Sequence, residues 1–102
     1  MFEYKALVRR VVDGDTVDFT VDLGFGIFHD IRARYSGVNT PERGHEDFHR
    51  ASKENNQLLI GVAEPDYRGY WVKIRTSKTG KYGRWLVEIA GVTDVLAKTW
   101  PY

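Results

Sequence analysis

Polar and apolar residues alternate without interruption from Thr16 to Leu23 (Thr-Val-Asp-Phe-Thr-Val-Asp-Leu). That is the period of a half-buried strand, with Val17, Phe19, Val21 and Leu23 turned inward. The Val- and Leu-rich run from Tyr4 to Val12 predicts a strand before it. Gly24-Phe25-Gly26 marks a turn, and Ile27 to Tyr35 reads as a third strand. Its Ile31, Ala33 and Tyr35 share one face, while Asp30, Arg32 and Arg34 share the other. Three adjacent strands joined by glycine turns predict an antiparallel meander.

The period then changes. After Ser36-Gly37-Val38-Asn39-Thr40-Pro41-Glu42, where Pro41 removes a backbone donor and ends the strand, the stretch from Arg43 to Asp47 is polar. From Phe48 to Val62, residues Phe48, Ala51, Leu58, Leu59 and Val62 recur at helical spacing, with Asn55 as a polar interruption. Gly61 and Pro65 limit this helix. Tyr70 to Thr76 predicts a fourth strand, Ser77 to Lys81 a hairpin loop around Gly80, and Arg84 to Ile89 a fifth strand. Thr93 is placed to cap a short helix over Asp94 to Thr99 that Pro101 stops. Five strands with a helix between the third and fourth, plus a short C-terminal helix, predict a mainly-β fold: a five-stranded Greek-key barrel of the OB type. A plain sheet-plus-helices α+β domain is the alternative.

Composition narrows the picture. A chain of 102 residues suits one domain, residues 1–102, with a single modest core. A net charge of +1 supplies no global field toward a polyanion, so any such partner must be held by a local cluster. The absence of cysteine excludes disulfides and thiolate sites. Met1-Phe2-Glu3-Tyr4-Lys5 lacks the apolar run of a secretion signal, and no stretch is long enough to span a bilayer. The expectation is a monomer without a membrane partner, cytoplasmic by default, of a size that would suit a phage or mobile-element protein.

Burial does not account for the carboxylates of Asp13-Gly14-Asp15 at the turn between the first two strands. Strand parity points Asp15 with the apolar set, at the mouth of whatever the strands enclose. An aspartate pair beside a glycine also serves simple turn chemistry. Read with Arg34, Asn39-Thr40-Pro41-Glu42 and Lys81-Tyr82-Gly83-Arg84, the pair gains a second meaning. Phosphodiester hydrolysis requires oxygen ligands for a hard cation, guanidinium groups for a phosphate that gains charge, and a carboxylate to orient or deprotonate water. All three are available here.

Asp13-Gly14-Asp15-Thr16-Val17, Arg34 through Val38-Asn39-Thr40-Pro41-Glu42, and Lys81-Tyr82-Gly83-Arg84-Trp85 resemble the three signature blocks of staphylococcal-nuclease-like (thermonuclease) domains, in the same order. The resemblance runs from about Leu7 to the end and is only generic from Arg43 to Tyr70. It implies an OB-fold barrel and a Ca²⁺-dependent nuclease acting on DNA or RNA, single strands preferred, leaving 3′-phosphate ends. By position, Asp15 and the Thr40 carbonyl match metal ligands, Glu42 the residue that aligns water, and Arg34 and Arg84 the phosphate-binding arginines. Lys81 and Tyr82 match contacts to a terminal phosphate, and Asp13 an acid near the metal. Asn39 stands where the family's namesake has a second aspartate ligand. An amide oxygen coordinates Ca²⁺ without charge, so weaker metal binding is expected. The sequence also ends soon after Ile89, so contacts from the longer helical tail of larger members are not expected.

Two other features compete. His45-Glu46-Asp47-Phe48-His49 satisfies H-E-x-x-H, which on a helix would hold Zn²⁺ with Glu46 as general base of a peptidase. Gly44 and Phe48 place it at a helix start, and a solvated polar loop beside the candidate site is the simpler reading. The stretch Trp71 to Trp85 mixes Lys73, Arg75, Lys78, Lys81 and Arg84 with Trp71, Tyr82 and Trp85. It suits single-stranded nucleic acid in a non-catalytic binding module, or serves as an exposed hairpin whose lysines guard an edge.

Overall fold

A computed structural model describes residues 2–79 and 85–100. The meander is present: β1 (Phe2–Asp13), β2 (Thr16–Asp22) and β3 (Phe28–Tyr35) pair antiparallel in sequence order. Helix α1 covers Phe48–Val62, the range its periodicity predicts. A short β4 (Glu64–Asp66) follows, then β5 (Gly69–Thr79), β6 (Trp85–Glu88) and α2 (Thr93–Thr99). The sheet order is β1-β2-β3-β6-β5-β4, and β1 also pairs with β5, so five strands close into a ring with β4 outside it. The link between β3 and β6 is parallel, Ala33 opposite Trp85.

The ring encloses one core. Val17, Phe19, Val21, Ile31, Ala33, Tyr35, Val72, Ile74 and Val87 point into it, and Ala51 and Leu59 of α1 with Leu96 of α2 close it from the helical side. The alternation in β2 and β3 therefore reads correctly. Leu23 does not follow it. The strand ends at Asp22, whose carboxylate accepts the Gly24 N–H at 2.8 Å, and Leu23 is 42% exposed in the hairpin. Gly24, Phe25 and Gly26 all take positive φ there, and the Phe25 ring is wholly exposed.

The sheet has six strands where five were expected. β4 is exposed along its whole length and pairs with β5 through its backbone, so it leaves no hydrophobic pattern. The predicted loop from Ser77 to Lys81 is instead partly strand, since β5 runs to Thr79. Thr93 is the first residue of α2 rather than its cap. Its hydroxyl accepts the Ile89 N–H at 3.3 Å and donates to the Ile89 carbonyl at 3.1 Å. It is thus engaged with a residue before the helix rather than with the helix amides, while Asp94 accepts the Gly91 N–H at 2.9 Å. Asn55 lies on the buried stripe of α1 and is 0% exposed. No helix among the described residues is long and apolar enough to cross a membrane.

Candidate functional site

Strand register assembles the site. Asp13 pairs with Thr16 across the first turn, and Thr16 pairs with Arg34 on β3, so the acidic turn and the arginine lie on neighbouring strands at the same end of the ring. Beyond Tyr35 the chain reverses through Ser36 and Gly37, whose φ is +73°. The next segment is pinned by buried Val38 and buried Pro41, which leaves Asn39 and Glu42 exposed. Asp13, Asp15, Arg34, Asn39, Thr40 and Glu42 line one open cleft of about 830 Å³, joined at its rim by Arg43 and His45. Two of the three sequence blocks thus converge. Lys81, Tyr82 and Arg84, the third block, lie outside the described residues.

Contacts inside the cleft are specific. Asp15 accepts the Thr16 hydroxyl at 3.0 Å on one carboxylate oxygen and the Thr40 N–H at 3.3 Å on the other. Asp13 accepts the Asp15 N–H at 3.0 Å. Arg34 Nη2 donates to Asn39 Oδ1 and lies 3.7 Å from Asp15 Oδ2, so one guanidinium touches both an acid and an amide of the cleft. The turn is seated closely. A Cβ on Gly14 would fall 2.5 Å from Thr40 Oγ1 and 2.8 Å from Ala51 Cβ, so only glycine lets the acids press against both the Thr40 segment and α1.

Electrostatics set Asp15 apart. Burial pushes its carboxyl up from 3.8 to about 6, helped by a hydrogen bond to Asp13 and by that residue's charge, against the Thr40 and Thr16 donors. A cation bound at this point would favour the ionised form of Asp15.

The donor chemistry fits a hard cation. Asp15, the Asn39 amide oxygen and the Thr40 main-chain carbonyl are oxygen donors, the set that Ca²⁺ takes. Among the described residues no three His, Asp or Glu side chains are gathered closely enough to hold a metal by themselves. A cation here would therefore depend on neutral oxygens and water for most of its shell. The H-E-x-x-H residues are not gathered either. His45 lies before α1, its Nδ1 accepting the Asp47 N–H at 3.0 Å, whereas His49 is within α1 with its ring 5.3 Å from that of Phe48.

The loop carrying His45 lies beside the site, as expected, whereas Arg43 and Asn55 carried no such expectation. Arg43 and His45 reach the cleft rim. Asn55 donates from its Nδ2 to the Asp13 carbonyl at 2.9 Å, behind the acids. A lone amide on an otherwise apolar helical stripe is the signal that could have found it, because such a group is buried only with partners. The sequence matches no protein-family model and no curated protein.

Proposed function

We propose that the cleft hydrolyses phosphodiester bonds of DNA or RNA in a Ca²⁺-dependent reaction of the staphylococcal-nuclease type, and that the ring of strands is an OB-type barrel. The observation that carries this reading is the convergence of Asp15, Arg34 and the Asn39–Glu42 segment, distant in sequence, on one cleft. Bound by Asp15, Asn39 and the Thr40 carbonyl, calcium would neutralise a phosphate oxygen and the charge that builds on it. Glu42, exposed at the cleft, orients or deprotonates the attacking water. Arg34 exchanges its Asn39 contact for phosphate oxygens, which its planar fork takes two at a time. Arg84 is the second phosphate clamp and Lys81 and Tyr82 hold a terminal phosphate, on the strength of the motif resemblance.

The test is incubation of purified protein with end-labelled single-stranded DNA, in calcium or in excess chelator. Calcium-dependent cutting that leaves 3′-phosphate ends is the expected outcome. Retention of intact strands without cutting would favour a non-catalytic binding module, and casein cleavage with copurified zinc a peptidase.

Asp15 also links metal to pH. Its folded value of about 6 exceeds the unfolded 3.8, so folding favours the protonated carboxyl. That contribution is complete below the unfolded value and is lost as pH rises through about 6. A bound cation needs the ionised form. Calcium should therefore raise the melting temperature markedly above pH 6 and little at about pH 5, where the proton competes. Thermal unfolding with and without calcium at both pH values measures it. Equal shifts at both would remove Asp15 from the ligand set.

A further inference from the structure

Asn55 has no business in an apolar stripe unless its partners repay it. It is wholly buried, and a helix interior disfavours Asn slightly even before the amide is desolvated. Its two partners are not arbitrary core groups. Nδ2 donates to the Asp13 carbonyl at 2.9 Å, and Oδ1 accepts the Tyr35 hydroxyl at 2.6 Å. Tyr35, 0% exposed, donates its own backbone N–H to the Asp15 carbonyl at 2.9 Å. Asp15 closes the circuit by donating its N–H to the Asp13 carboxylate at 3.0 Å. Both ends of the acidic turn are thus tied, through α1 and β3, to one buried amide.

The turn needs such a tie. The β1–β2 ladder shifts register between Val11 and Asp13, so regular pairing is interrupted where the first acid must be placed. Burial also drives the Tyr35 phenol upward, beyond any physiological titration, so it stays a neutral donor. An apolar pair of the same shape would fill the core equally well but would leave the Asp13 carbonyl without its buried donor, and only the main-chain N–H of residue 35 would still hold the turn, at the Asp15 carbonyl.

We propose that Asn55 and Tyr35 are positioning residues for the acidic turn: their closed circuit of hydrogen bonds fixes the Asp13–Asp15 backbone and thereby sets the metal affinity of the cleft. The affinity part rests on the calcium-dependent reading above, whereas the positional part does not. Groups that orient metal ligands typically change affinity or activity by about 10–100-fold when removed.

The experiment uses Tyr35→Phe, which deletes one hydrogen bond without opening a cavity, with Asn55→Leu as the second variant. Amide hydrogen exchange is read in metal-free protein, and calcium affinity by calorimetry. In Tyr35→Phe the amides of Asp15 and residue 35 should exchange about tenfold faster than any change at Val72 and Ile74 on β5 accounts for, because the loss is local. Calcium should bind about tenfold more weakly, and kcat should fall with KM for single-stranded DNA little changed. Acceleration by one common factor at all four amides would mean a merely stabilising contact and would overturn the proposal. So would localised acceleration with calcium affinity unchanged. Should the wild-type protein bind no calcium, the metal reading fails by itself, and the exchange pattern still decides whether the circuit holds the turn.

Discussion

Arg34→Ala is expected to lower phosphodiester turnover about 10²–10³-fold, the usual loss when one donor to a developing charge is removed. The fold should remain. Arg34 is part-exposed, its ion pair with Asp15 spans 3.7 Å, and among the described residues its side chain hydrogen-bonds exposed Asn39. Partly solvated pairs of this kind contribute about 1 kcal/mol or less to stability. Glu42→Ser should cost a similar factor by a different route. Glu42 is exposed and its side chain makes no hydrogen bond to the core among the described residues, so in the proposed reaction its loss would remove the group that aligns water without disturbing packing. Steady-state kinetics beside circular dichroism melts would check both. Full activity in either variant would locate the chemistry elsewhere or reveal a contaminant.

Gly14→Ala should produce the largest loss of stability for the smallest change in mass, about 3 kcal/mol by the scale of overpacked cores. The new methyl would meet Thr40 Oγ1 at 2.5 Å, Thr40 Cβ at 2.7 Å and Ala51 Cβ at 2.8 Å. Neither neighbour has a flexible end to move, since Thr40 is β-branched and Ala51 lies in a helix. Relief must come from displacing the Thr40 segment, which carries a candidate metal ligand, or from tilting α1, whose Asn55 holds the Asp13 carbonyl. Gly24→Ala is the contrast. It has open space around it but a φ of +85°, so backbone strain of about 1 kcal/mol is its only penalty. Urea unfolding of both variants measures the difference. A Gly14→Ala protein as stable as the Gly24→Ala one would show that the turn does not press on the helix as described.

Legibility in the sequence followed burial. β2 and β3 bury one face and expose the other, so a period of two survives in Thr16 to Asp22 and in Phe28 to Tyr35. α1 carries Ala51 and Leu59 against the ring, and its limits follow from that stripe. β4 was invisible because its three residues are all exposed and only the backbone pairs. Closure of the ring is expected from the order of strands and helix, but the pairing that achieves it has no sequence signal, since it depends on β1 being long enough to pair with β2 along one edge and β5 along the other.

The candidate site divides in the same manner. Asp15, Arg34, Asn39, Thr40 and Glu42 were named from residue types and motif order, but their meeting depends on the register that sets Thr16 opposite Arg34. The Arg34–Asn39 contact has no sequence signal, because it is a matter of side-chain reach. Asn55 was read as an interruption of its helix, whereas its amide is the link between that helix and the acids.

The central claim is that metal and phosphodiester meet in the cleft of Asp15, Arg34 and Glu42. Its most direct measurement is an NMR titration of ¹⁵N-labelled protein with calcium and a non-hydrolysable phosphorothioate oligonucleotide. Shifts concentrated at the amides of Asp15, Thr40 and Glu42 and at the Arg34 Nε–H, requiring both additions together for the arginine, are expected. Shifts confined to another surface, such as the exposed hairpin around Tyr67 and Arg68, or no response to either addition, would contradict it.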